Sequence, residues 1–122
     1  MVIVGAFLAE AASVVDNKLN VSGGVLSGYM VGPERVAQFV LVVLTQSVVD
    51  NPDREIEVEV RPPTDDPPLF MTYALPAAAA SGEIGFAFFN VEVDLPTDGR
   101  WVFLITSGAG VVSLPLEVTG VA

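Results

Sequence analysis

Arg54-Glu55-Ile56-Glu57-Val58-Glu59-Val60-Arg61 is the stretch that decides the fold class. Successive side chains of an extended strand point to opposite faces, so Glu55, Glu57 and Glu59 share one side while Ile56, Val58 and Val60 share the other. A wet face backed by a dry one describes a strand of an antiparallel sheet packed on a core through one side only. Phe86 to Leu95 repeats the pattern. There Phe89, Val91, Val93 and Leu95 fall together, and Asn90, Glu92 and Asp94 point outward.

Further strands are expected over 2–9, 36–45, 69–75, 101–107 and 111–118, where Val and Phe are abundant. The breaks between them carry turn chemistry. Asp16-Asn17 separates Val14-Val15 from Leu19-Asn20-Val21, and both turn residues tolerate the left-handed backbone of a tight hairpin. Asp50-Asn51-Pro52-Asp53, Pro96-Thr97-Asp98-Gly99 and Ser107-Gly108-Ala109-Gly110 read as further turns. The run Arg61-Pro62-Pro63-Thr64-Asp65-Asp66-Pro67-Pro68 must end a strand, because proline cannot donate to a β-ladder. It reads as a stiff crossover. Pro76 to Gly82 has room for one helical turn and no more.

Short strands divided by turns describe an all-β fold: a two-sheet antiparallel β-sandwich, immunoglobulin-like with Greek-key connections, of about seven to nine strands. The 122 residues suit one domain spanning 1–122, and no linker or repeat divides them. Leu95-Pro96-Thr97-Asp98-Gly99-Arg100-Trp101 has the layout of the corner where such a chain crosses between sheets. Trp101 stands where a corner tyrosine usually does, with its indole N–H expected to find a carbonyl.

Composition removes chemistries. The chain has no His and no Cys, so Ser-His-Asp and Cys-His constellations, imidazole ligands and thiolate metal sites are excluded. No glycine-rich phosphate loop opens a helix, and the regular Glu55, Glu57, Glu59 row is what a solvated sheet face produces without catalysis. The expected protein is therefore not an enzyme. Its net charge of −10, from 15 acidic and 5 basic residues, repels nucleic acid and anionic lipid. No window reaches the roughly 18 apolar residues of a membrane span, so membrane insertion is not expected. The cysteine count fits a cytoplasmic protein, although a cysteine-free secreted one would look the same.

Against that charge stands an apolar fraction of 52% and a mean hydropathy of +0.60. The excess is concentrated in strands that are apolar on both faces. In Val36 to Thr45, Val40, Val42 and Leu44 point one way and Phe39, Leu41 and Val43 the other. Phe86 to Phe89 and Trp101 to Ile105 share the feature. Such a strand needs a second cover. Either the N-terminal segment and the Ala77–Ala80 region lie over it, or another protein does. The second explanation is preferred, because large exposed apolar patches are rare on soluble monomers. It makes the chain a non-catalytic protein-interaction or self-assembling module, a homo-oligomer or an accessory subunit. The expected contact residues are Phe39, Leu41, Val43, Phe86, Phe88, Val102 and Leu104; a one-residue slip in register exchanges the two faces.

The competing expectation is a calcium- or small-ligand-binding sandwich. Asp50 and Asp53 in one loop and Asp65 and Asp66 in another supply the oxygen ligands that a hard cation takes.

The segment from Phe7 to Gly24, with Phe7-Leu8-Ala9-Glu10-Ala11-Ala12, Val14-Val15-Asp16, Lys18-Leu19 and Gly23-Gly24, resembles the start of a family of small uncharacterised bacterial proteins common in actinobacteria. Their pattern is F-L-A-D-A-A-x-V-V-D-G-K-L-x-V-x-G-G. The Leu95-Pro96…Gly99-Arg100-Trp101 turn is similar to that family's closing segment, with Asn17 and Trp101 replacing its glycine and tyrosine. The resemblance implies a β-sandwich in a bacterial, cytoplasmic setting. It brings no assigned activity and no site residues.

Overall fold

A computed structural model describes residues 2–47, 54–80, 83–107 and 110–120. Its strands, in chain order, are β1 Val2–Ala9, β2 Ala11–Val15, β3 Lys18–Ser22, β4 Gly28–Val31, β5 Val36–Gln46, β6 Glu55–Arg61, β7 Leu69–Ala74, β8 Ile84–Asp94, β9 Gly99–Ser107 and β10 Gly110–Gly120. A single 3-10 turn, Ala77–Ala80, lies between β7 and β8. The back sheet runs β1-β5-β8 and the front sheet β4-β10-β9-β6-β7; β2 and β3 form a separate hairpin.

The fold is an all-β sandwich, as the alternation requires. Its order is immunoglobulin-like: the first strand lies in the back sheet as β1, then crosses to the front as β4 and pairs with the last strand. That β4–β10 pair is parallel, with Glu117 opposite Gly28 and Gly120 opposite Val31. It is the one departure from the antiparallel expectation among the described pairs. The β2–β3 hairpin is inserted between the two halves of the first strand.

The two sheets bury one large core. The back sheet contributes Leu8, Phe39, Leu41, Val43, Val91 and Val93; the front sheet answers with Ile56, Val58, Val60, Trp101, Phe103, Ile105, Leu116 and Val118. Phe39 meets Tyr29 and Phe103 edge-on, at centroid separations of 5.8 and 5.6 Å, the geometry that aromatic quadrupoles favour. The Glu55, Ile56, Glu57, Val58 alternation holds: Ile56, Val58 and Val60 are buried, whereas Glu55 and Glu57 stay exposed.

β5 is buried on both faces, and the cover is internal. Residues paired across a ladder share a face, so Val40 lies beside Ala9 and Val42 beside Phe7 and Phe88 on the outer side. Ala12 and Leu19 of the hairpin pack on that row, forming a second small core. The hairpin can lie there because Asp16 and Asn17 close it as a two-residue loop, with φ of 52° and 62° and Val15 opposite Lys18. Positive φ at both positions is what a type I′ turn needs. At the other end of β5, the buried hydroxyl of Thr45 donates to the Ala79 carbonyl at 2.8 Å, so the 3-10 turn closes the bottom of the core.

Two corrections follow. Phe39, Leu41 and Val43, expected to face outward, are buried in the main core; the set on the other face points out, and the hairpin covers it. The outer face of β5 is covered from within the chain and not, as preferred, by another protein: residues 11–22 of the N-terminal segment cover it, while Ala79 packs into the main core. β1 pairs with β5 only as far as Ala9, opposite Val40. Beyond that point the hydroxyl of Tyr29 takes over: it accepts from the Gln38 N–H at 3.1 Å and donates to the Gln38 carbonyl at 3.3 Å.

Leu41→Asp is accordingly expected to prevent folding, at a cost above about 4 kcal/mol for an unpaired carboxylate in the core. Circular dichroism would show lost β-structure in the monomer, not a folded chain that has lost a partner. Gly85→Ala is expected to cost about 1–3 kcal/mol in urea unfolding, because a Cβ there would overlap the Ala79 carbonyl and crowd Thr45 Oγ1.

Candidate functional site

The structure places the remaining expected contact residues on two opposite surfaces. Val102 and Leu104 lie on the outer face of the front sheet, half-buried. Their neighbours are Arg61 and Pro115 beside Val102, and Glu59 and Ser113 beside Leu104. Long charged side chains shield apolar surface with their stems while their heads stay in water, so Arg61 and Glu59 cover part of this face, on which Phe70 and Val111 stay exposed. Arg61 Nε pairs with Glu59 along the same strand.

Phe86 and Phe88 lie on the outer face of the back sheet. Phe88 sits beneath the hairpin with Val42 and Phe7. Phe86, one step further along, is opposite Leu44, which is in turn opposite Gly5. The hairpin's small core does not include this row. Gly5 offers no side chain to it, and the Leu44 methyl Cδ1 lies 3.5 Å from where a Gly5 Cβ would stand. The next residue outward, Ile84, is 77% exposed. Ile84, Phe86 and Leu44 thus continue the covered apolar surface beyond the end of its cover.

The same residues lie on a sheet edge. The β5–β8 ladder runs unbroken from Val36 opposite Asp94 to Gln46 opposite Ile84. Just past its two ends, the Ser47 N–H donates to the Glu83 carbonyl at 3.2 Å and the Leu95 N–H donates to the Arg35 carbonyl at 2.9 Å. Backbone groups alternate sides along a strand, so odd-numbered residues of β8 bond to β5. The N–H and C=O groups of Ile84, Phe86, Phe88, Asn90 and Glu92 therefore point to the far side, where no strand pairs among the described residues.

Other sheet margins carry partial protections, although Leu69 and Phe70 of β7 are exposed. β4 has four residues, β7 follows Pro67-Pro68, and β1 carries a register shift between Ile3 and Gly5. Short length, proline and bulges are the usual protections of an edge. β8 is 11 residues long with no proline and no shift.

Side chains at both ends hold β8 in place. Tyr73 of β7 stacks on Phe89 at a centroid distance of 4.8 Å, linking the margins of the two sheets. At the opposite end the corner forms as expected, with Trp101 Nε1 donating to the Thr97 carbonyl at 2.9 Å. Arg35, which the sequence did not single out, organises this corner. It has a φ of 59°, its Nε donates to the Leu95 carbonyl at 3.0 Å, and its Nη1 pairs with Asp98 at 2.9 Å. Asp98 also accepts from the Gly120 N–H at 2.9 Å. A left-handed arginine is invisible to pattern reading; Gly32-Pro33 just upstream was the available signal of a tight turn.

The acidic loops do not converge where they are described. Asp65 and Asp66 are exposed, and Asp66 is engaged locally, accepting from Thr64 Oγ1 at 2.7 Å. Asp50 and Asp53 lie outside the described residues. Among the described residues no three acidic side chains come together as a cation site. A cleft of about 470 Å³ lies where β1 leaves β5, walled by Glu10, Gln38, Asn90 and Glu92. A neighbouring one of about 370 Å³ shares Glu10 and Gln38 and adds Tyr29 and Met30. Both are open.

No family model matches the chain, and comparison with curated proteins and with solved structures returned no match. What the geometry defines is an all-β sandwich whose β8 margin carries exposed apolar residues and no paired strand among the described residues.

Burial holds the Tyr73 hydroxyl above its ordinary pKa of 10.0. The unfolded chain then loses this proton first as pH rises, so the folded state loses stability above about pH 10. Tyr73→Phe is expected to make urea-unfolding stability less steep between pH 9.5 and 11, to about the extent of one titrating group; an unchanged slope would assign the alkaline loss elsewhere.

Proposed function

We propose that this protein is a non-catalytic, self-associating contact module that works through the β8 side of its back sheet. The observation that carries the reading is the coincidence of unpaired backbone and uncovered apolar side chains at one place. Ile84 and Phe86 supply the apolar surface, and the same residues carry N–H and C=O groups that face away from β5. Hydrophobic burial and strand addition reinforce each other at such a margin, one supplying affinity and the other register. The absence of His and Cys supports a role outside the common catalytic classes. The charge of −10 keeps a chain with this surface soluble.

Of the seven residues expected at the contact, Phe86 and Phe88 are retained, and Ile84 and Leu44 join them. Phe39, Leu41 and Val43 belong to the core. Val102 and Leu104 sit among charged neighbours and are left to solvent.

Ile84→Glu combined with Phe86→Glu tests the reading. Ile84 is exposed, so its replacement should alter folding by no more than about 0.5 kcal/mol. The expected result in light scattering is a shift from oligomer to monomer, with the far-ultraviolet spectrum retained. A wild-type chain that is already monomeric at high micromolar concentration would overturn it.

A further inference from the structure

We propose that the occupant of the β8 edge is the β8 strand of a second copy, paired antiparallel about a two-fold axis at Ala87. This deepens the proposed function and rests on it.

The fold itself marks the vacancy. In the constant-type immunoglobulin arrangement, with three strands opposite, the back sheet has a fourth strand outside the one that corresponds here to β8. The described residues of this chain build three against a front sheet of five. The strand in the connection from β6 to β8 is β7, which pairs with β6 in the front sheet, and the 3-10 turn Ala77–Ala80 follows it with the Ala79 carbonyl accepting from Thr45. The edge is thus left bare by a defined feature of the chain, and what fits it is an extended strand.

Charge along the edge selects which strand. From Ile84 to Val91 there is no charged residue, while Glu83 stands before this window and Glu92 and Asp94 after it. A cationic strand would set its charges against Phe86 and Phe88 and gain no carboxylate within the window. A second β8, antiparallel, matches uncharged residues to uncharged ones. Centring the axis on Ala87 sets Phe86 opposite the partner's Phe88 twice, and Ile84 opposite the partner's Asn90 twice. These are even-numbered residues, whose backbone groups face the edge, so each pair exchanges hydrogen bonds. In the same register Glu83 meets Val91, and no carboxylate opposes another. Shifting the axis toward the C-terminal end of β8 brings Glu92 and Asp94 of the two copies together. The result is a continuous six-stranded back sheet with four phenylalanines in two adjacent cross-strand pairs on its outer face.

The absence of native cysteine gives a clean test. In an Ile84→Cys, Asn90→Cys double variant, the two thiols of one chain lie about 20 Å apart along the strand. They cannot bond to each other, whereas each opposes its counterpart in the second copy at a separation a disulfide spans. Mild oxidation should give a covalent dimer on a non-reducing gel from the double variant and monomer from either single variant. Asn90→Pro is the second arm, since its N–H faces the edge and is absent from the β5 ladder. It should leave the fold intact and abolish the dimer, while Val91→Pro, on the ladder side, should unfold the chain. Two copies each carrying −10 also predict that the dimer tightens as salt is raised.

A wild-type monomer overturns both this inference and the proposed function. A wild-type dimer that persists in folded Asn90→Pro, or that fails to cross-link through the double cysteine, overturns the edge and its register alone. Weaker self-association at higher salt also overturns this register, because two copies of −10 meeting through an uncharged window gain from screening.

Discussion

β5 crosses the middle of the back sheet with apolar side chains on both faces, and burying both is the constraint that the other elements answer. One face is satisfied by the front sheet, through Phe39, Leu41 and Val43. The other requires a cover that an ordinary sandwich lacks, and the chain supplies it by inserting β2–β3 between the halves of its first strand. At roughly 25 cal/mol per Å² of apolar surface removed from water, leaving Val40 and Val42 bare would be costly. The hairpin exists as a lid for this row; alone, a two-stranded hairpin is marginally stable at best.

This arrangement explains where the apolar excess ends up. The lid extends over Ala9, Val40, Val42 and Phe88, then stops before the Leu44 and Phe86 row. The end of the lid coincides with the edge left without a fourth strand. Two incomplete solutions meet at β8, one in the layer above the sheet and one in its plane. Two other places are tied locally: Tyr29 bonds both backbone groups of Gln38 where β1 departs, and Arg35 with Asp98 ties the β8–β9 corner to the end of β10.

Much of this was legible in the residues. The Glu55 to Val60 alternation gave a half-buried strand of the right polarity, Asp16-Asn17 gave a two-residue hairpin, and Trp101 gave an inter-sheet corner with its indole bonded to a carbonyl. Each is a local rule whose outcome depends on neighbours within a few residues. Pro76 to Gly82 likewise had length for only one turn, and Ala77–Ala80 forms one. The face of β5 was not legible. Both of its faces are apolar, so periodicity carries no information about which one meets the front sheet, and Phe39, Leu41 and Val43 were placed on the wrong side.

The sequence by itself determined the fold class, the turns, the corner and the chemistries that lack their residues, because alternation, backbone propensity and composition act locally or by simple absence. Only the tertiary structure decided which face of β5 is inside, that residues 11–22 cover the other, and that β8 ends the back sheet with no strand among the described residues pairing its even-numbered backbone groups. Those facts depend on which strands become neighbours, and that choice is made by packing between segments far apart in the chain. The apolar excess was visible from composition alone; its place at the β8 margin was not.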